Sequence, residues 1–111
     1  MQMGVLHVGD EVTARLSADH ENDGTGTVQV VFTPSKNVSE PRPPVAVGHC
    51  EAAAGGSCVT EPVVIPSSKG GVKVVATVPG TGTLEVLANG EVKTGPLPVS
   101  DVVEWDYVVV P

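Results

Sequence analysis

The sequence predicts an all-β fold: a two-sheet β-sandwich of seven to eight short antiparallel strands, forming a single domain over residues 1–111. Val accounts for 24 of the 111 residues, and β-branched side chains fit the pleated surface of a sheet. The 13 Gly and 10 Pro residues divide the chain into short segments and would interrupt helices. Apolar residues recur at a spacing of two, and no segment shows helical periodicity.

The charge balance excludes some classes of partner. Six Lys and Arg residues against 13 Asp and Glu residues give a net charge of −7. We expect no nucleic-acid partner, because such binding begins with the neutralisation of phosphates by basic side chains. The longest apolar runs span three to four residues. Since a membrane helix needs about 20 apolar residues, no membrane insertion is predicted.

The N-terminal third alternates clearly. Residues 11–18 predict a half-buried strand, residues 19–26 a turn rich in Asn, Asp and Gly, and residues 27–33 a second strand. The side chains expected to face the core are Val12, Ala14, Leu16 and Ala18 in the first strand and Val28, Val30 and Phe32 in the second.

The middle of the chain contains a Pro-rich stretch at residues 34–44 and a pair of cysteines. Four prolines exclude a central strand from that stretch, so we expect an inter-sheet connection there. Residues 45–47 would then form a short strand leading into the cysteine loop, residues 50–58.

Cys50 and Cys58 are the only cysteines, and no second pair of histidines completes a zinc site. They predict a local disulfide, which would stabilise the fold by roughly 2.5 kcal/mol in the chain-entropy model. Because disulfides persist in oxidising compartments, we expect an extracellular or cell-surface location. Two reduced thiols in a virion or cytoplasmic protein are the alternative. The N-terminal residues lack signal-peptide features, so either a signal was removed or the chain is not exported.

The C-terminal half predicts more strands. Residues 59–65 resemble an edge strand interrupted by Pro62, and residues 72–78 alternate cleanly before a predicted turn at 79–82. Asn89-Gly90 is the strongest hairpin signal, and the last predicted strand is residues 102–110. The strand count and spacing indicate an immunoglobulin-like sandwich, with a small barrel as the rival.

Few residues indicate chemistry. Asp19, Glu21 and Asp23 imitate the opening of a calcium loop, but the twelfth position is Val30 rather than Glu. A weak cation site at this turn is the alternative to an ordinary solvated turn. We assign no metal and no cofactor. The sequence has no G-x-S-x-G elbow, so no enzyme activity is predicted and no catalytic residue is named.

Trp105 and Tyr107 are two of the three aromatic residues in the chain. They could anchor a partner, because aromatic side chains dominate many interfaces. We favour the other interpretation, in which the pair closes the core of a sandwich that has few aromatic residues.

The chain resembles the immunoglobulin-like conserved repeat domains of bacterial surface proteins, of the cell-adhesion-related type. The matching features lie between residues 8 and 78. They are the Val-Gly-Asp start at 8–10, the strand at 11–18, the Asn-x-Gly-Thr turn at 22–25, the Val-rich strand at 28–32, and Cys50 and Cys58 with Gly55-Gly56 between them. This resemblance implies a non-catalytic module that serves as a structural spacer or as an adhesion or protein-interaction domain.

A fainter resemblance is to the apoproteins of enediyne chromoprotein antibiotics, through the segment from Gly48-His-Cys50 to Cys58. It implies a secreted carrier of an apolar small molecule in an inter-sheet cleft. Those proteins have a second disulfide and an aromatic-lined cleft, neither of which this sequence supplies. An immunoglobulin-like decoration or tail protein of a virion is a further alternative. The sequence leaves the protein or cell-surface partner and the oligomeric state open.

Overall fold

The computed structural model describes residues 2–18, 24–34, 46–66 and 70–111. Within those residues the chain is all β, which confirms the predicted fold class. The eight strands are β1 (Gln2–His7), β2 (Glu11–Ala18), β3 (Thr25–Pro34), β4 (Ala46–Ala53), β5 (Ser57–Val59), β6 (Val63–Val64), β7 (Gly70–Ala88) and β8 (Glu91–Val110).

The dominant feature is the antiparallel hairpin of β7 and β8, strands of 19 and 20 residues. The expectation of short strands is wrong here. Asn89 and Gly90 form the predicted tight turn, with φ values of 54° and 83°. The predicted turn at 79–82 is instead a bend inside β7. Val78 pairs with Asp101 and Thr81 with Ser100, so two residues bulge out of β7 while the strand continues.

The bend divides the hairpin between two layers. The first layer contains β4, β3, the first half of β7, the second half of β8, and β1, in that order. The second layer contains the other half of the hairpin. Its part of β7 pairs with β2, and the opposite edge of β2 pairs with β5 and β6. β2 also contacts β3 and β4 without pairing with them. The two layers therefore pack against each other as a sandwich.

The N-terminal strand β1 was not predicted. It pairs in parallel with the end of β8, so that Gln2 lies opposite Asp106 and His7 opposite Val110. This pairing corrects the expectation of an entirely antiparallel sandwich. Leu6 is the single fully buried residue of β1, and one buried residue gives no alternation for sequence analysis to detect.

The chain passes from one layer to the other in the cysteine loop. β3 and β4 are antiparallel neighbours in the first layer, with Phe32 opposite Ala46. The inter-sheet connection predicted for residues 34–44 falls almost entirely on residues that the structure does not describe. Pro34 is the last residue of β3, and residues 35–45 lie outside the described part of the chain. Between β4 and β5 the chain changes layer through a turn in which the Gly56 N–H donates to the Ala53 carbonyl at 2.8 Å.

The core lies between the layers and matches the predicted alternation. All of the side chains expected to face inward from β2 and β3 are buried, as are Val72, Val74, Ala76 and Val78 of β7. Small and β-branched side chains dominate this core, and Phe32, Trp105 and Tyr107 are its aromatic members.

Pro62 interrupts the edge beside β2, as predicted, and separates β5 from β6. Thr60, which lies between the two short strands, maintains the pairing with β2. Its N–H donates to the Ala14 carbonyl and its hydroxyl oxygen accepts from the Ala14 N–H, each at 3.0 Å. Thr60 is 3% exposed, so these bonds satisfy polar groups that are shielded from water.

Candidate functional site

The predicted disulfide is present and joins the two layers. Cys50 lies in β4 of the first layer and Cys58 in β5 of the second, with their Cα atoms 5.9 Å apart. Both strands are the edges farthest from β8. The disulfide therefore links the layers where the shared hairpin cannot.

A short polar contact lies next to the disulfide. The His49 N–H donates to the Glu61 carboxylate at 2.9 Å, and this bond is the main reason why the pKa of Glu61 lies below its ordinary value. Gly48 allows this close approach, since any side chain there would overlap the Glu61 carbonyl oxygen. The outer edge of β4 is thus covered by the segment that follows β5.

Four residues at one end of the molecule form a network that we call the hairpin clamp: His7, Asp10, Glu11 and Asn89. The Asn89 side-chain N–H donates to Asp10 at 3.0 Å, and its oxygen accepts from the Glu11 N–H at 2.9 Å. The Asn89 backbone N–H donates to the Glu11 carbonyl at 2.9 Å. The His7 N–H donates to the other Asp10 oxygen, also at 2.9 Å. The clamp fixes the tip of the hairpin to the turn between β1 and β2.

The clamp favours an ionised Asp10. The hydrogen bond from the His7 N–H has the largest effect and lowers the pKa of Asp10. Burial raises this pKa. The hydrogen bond from the Asn89 amide and the charges of His7 and Lys93 lower it further. The net pKa is below the ordinary value of 3.8. The Val8-Gly-Asp10 start and the Asn89-Gly90 turn are unrelated features in the sequence, because nothing in the local pattern shows that the two segments meet.

A shallow polar groove of about 260 Å³ lies on the outer face of the second layer. It is lined by Arg15, Ser17, Thr83, Glu85 and Pro96. An Arg15 nitrogen lies 2.6 Å from a Glu85 oxygen, so the two charges largely neutralise each other. The groove differs from the apolar cleft that a carrier of apolar molecules would need.

Trp105 and Tyr107 are core residues. They are 5% and 3% exposed, and the Tyr107 hydroxyl donates to the Thr94 hydroxyl oxygen at 2.7 Å. Burial raises the pKa of Tyr107, and the bond to Thr94 opposes this effect. Core closure is therefore confirmed. Alternation along β8 turns both side chains inward. The hypothesis that they anchor a partner stays a prediction.

The acidic turn with Asp19, Glu21 and Asp23 lies outside the described residues. Within the described ranges, no group of three or more His, Cys, Asp or Glu residues is arranged to hold a metal ion. The part of the chain that the structure describes also contains no helix long and apolar enough to cross a membrane.

Comparison of the chain with protein-family models, with curated proteins and with solved structures finds no match.

Replacing both cysteines with serine tests the contribution of the disulfide. We expect the free energy of unfolding to fall by roughly 2.5 kcal/mol, because the unfolded chain regains the entropy of an open loop. Denaturant titration followed by Trp105 fluorescence measures the loss, and thiol titration of the native protein should find no free thiol. Two free thiols in the native protein, or an unchanged midpoint in the variant, would contradict this assignment.

The clamp predicts a pH dependence of stability. The pKa of Asp10 is lower in the folded state than in the unfolded chain, where it is near 3.8. The ionised Asp10 therefore stabilises the fold fully at pH values above the unfolded pKa, and this stabilisation is lost as the pH falls through the folded pKa. We expect Asp10→Asn to cost about 1–2 kcal/mol at pH 7, and this difference from the parent should shrink as the solution is acidified. Denaturant titrations of both proteins, from pH 7 down through the pKa of Asp10, measure this difference in the free energy of unfolding. A difference that is constant with pH would show that Asp10 does not titrate in this way.

Proposed function

We propose that this chain is a non-catalytic immunoglobulin-like module of a secreted or cell-surface protein, serving as a structural spacer or as an adhesion or protein-interaction domain, in the manner of bacterial surface repeats. The observation that carries the proposal is the parallel pairing of β1 with the end of β8. It supports a role in which the module transmits tension between the chain on either side of it.

The direction of the two strands explains this role. Tension applied before Gln2 and after Val110 pulls β1 and β8 past each other along their length. The hydrogen bonds between Gln2–His7 and the end of β8 are then loaded together. Bonds that share a load resist far more force than bonds that break one after another. A spacer under tension needs this geometry, whereas a carrier or an enzyme does not.

Protected sheet edges also support a spacer. The Gln2 side-chain amide donates to the Gly4 carbonyl at 2.9 Å, and Asp10 accepts from the His7 N–H, so two backbone groups of β1 are occupied by side chains. The outer half of β8 carries Pro96 and Pro98, which lack the N–H that a neighbouring strand would use. Edges of this kind keep modules from pairing with each other.

The disulfide supports the proposed location. A bond between Cys50 and Cys58 is consistent with an oxidising environment outside the cytoplasm. It also strengthens a core in which Val and Ala bury less area than aromatic side chains do.

Single-molecule force measurements test the spacer proposal. We expect the domain to unfold at a clearly higher force when it is pulled through the two ends of the chain than when it is pulled between Val8 and Pro111. The second geometry loads the end of the β1–β8 pair, where the Val8 N–H donates to the Val110 carbonyl at 3.0 Å, and so opens the bonds in sequence.

The same folded protein serves in both measurements, with handles attached through an unnatural residue at position 8 for the second geometry. Leu97, on the edge half of β8, provides a control attachment site outside this pairing. Equal unfolding forces in the terminal and the Val8–Pro111 geometries would overturn the proposed load-bearing role.

A further inference from the structure

The Asn89-Gly90 pair can also undergo deamidation, a reaction that is separate from its role in the turn. When Gly follows Asn, no side chain hinders the approach of the Gly backbone nitrogen to the Asn side-chain carbonyl carbon. Attack forms a bond between the Gly90 nitrogen and Asn89 Cγ. The Cγ–Nδ2 bond then breaks, and the amide nitrogen leaves as ammonia with the proton from the Gly90 N–H. Water opens the resulting imide at either carbonyl, which leaves aspartate or isoaspartate.

The clamp opposes the first step of this reaction. Both polar atoms of the Asn89 side chain are held, the oxygen by the Glu11 N–H at 2.9 Å and the nitrogen by Asp10 at 3.0 Å. The Asn89 backbone N–H is also bonded to Glu11, and the residue is fixed at φ 54°. Turning Cγ toward the Gly90 nitrogen breaks the two side-chain hydrogen bonds. Asn89 is nevertheless exposed, so water has direct access once the clamp opens.

We propose that Asn89 is a gated modification site, at which deamidation is slow while the hairpin clamp is closed and fast once it opens. The reaction needs only water, and it is irreversible because ammonia leaves.

The product would prevent the clamp from closing again. An aspartate at position 89 cannot donate to Asp10, and it places a second carboxylate where the Asn89 amide nitrogen lies 3.0 Å from an Asp10 oxygen. Isoaspartate adds a methylene group to the main chain. The tight turn between Ala88 and Glu91, which are directly paired, cannot keep its register with that insertion. One opening event is thereby converted into a permanent loosening of this end of the molecule.

The test compares the native protein with the same oxidised chain unfolded in urea, both incubated at mildly alkaline pH. Proteolysis and mass spectrometry follow the conversion of amide to acid at residue 89, and chromatography separates the two product isomers. We expect deamidation at Asn89 to be at least about ten-fold slower in the folded chain, because two hydrogen bonds must open first. Equal rates in the folded and unfolded chains would overturn the proposal, as would the absence of reaction in the unfolded chain.

Two variants identify the gate in the folded state. Asp10→Ala removes one partner of the Asn89 side chain and should raise the folded-state rate several-fold. Glu51→Ala, which removes an exposed carboxylate on β4 outside the clamp, should leave the rate at the parent value. Circular dichroism confirms that each variant is folded. A folded Asp10→Ala protein that deamidates no faster than the parent would contradict gating by the clamp. If Asp10→Ala does not fold, the comparison of native and unfolded parent decides the proposal.

Discussion

Both layers of the sandwich are built on the same two strands, and this shared hairpin is the constraint on which the rest of the structure depends. The two-residue bulge at Pro79 and Gly80 bends β7 without changing which residues face inward: even-numbered residues are buried on both sides of it. Gly80 has φ 106°, and Asp101 in the partner strand has φ 57°. Both angles lie in a region that glycine and, among other residues, Asp and Asn enter most readily. Without the bend, one face of a long apolar sheet would remain in water.

The hairpin leaves two places in the sandwich unsupported, and a local interaction stabilises each of them. The Cys50–Cys58 disulfide joins the far edges of the layers, and the hairpin clamp fixes the tip near Asn89 to the start of β2. The disulfide contribution, roughly 2.5 kcal/mol, is a large share of the 5–15 kcal/mol that stabilises a typical domain. This share is important for a core built mainly from Val and Ala, which gains less from burial than a core rich in aromatic residues.

Local patterns predicted the features that depend on local structure. Alternation identified the buried faces of β2, β3 and β7, and Asn89-Gly90 identified the hairpin turn. The errors arose where the outcome depends on distant partners. Pro79-Gly80 is compatible with either a turn or a bulge, and only the continuous pairing with β8 decides between them. The parallel strand β1 and the meeting of Asp10 with Asn89 likewise join residues far apart in the sequence, which periodicity does not reveal.

Native-state hydrogen exchange tests the shared hairpin most directly. If β7 belongs structurally to both layers, the slowest-exchanging amides in residues 70–78 and in residues 82–88 report the same free energy of opening, equal to that of global unfolding. Denaturant should lower both values with the same slope. A slow-exchanging group in one half of β7 that opens at a clearly lower free energy, while the other half stays protected, would show that the layers are separate units and contradict this account.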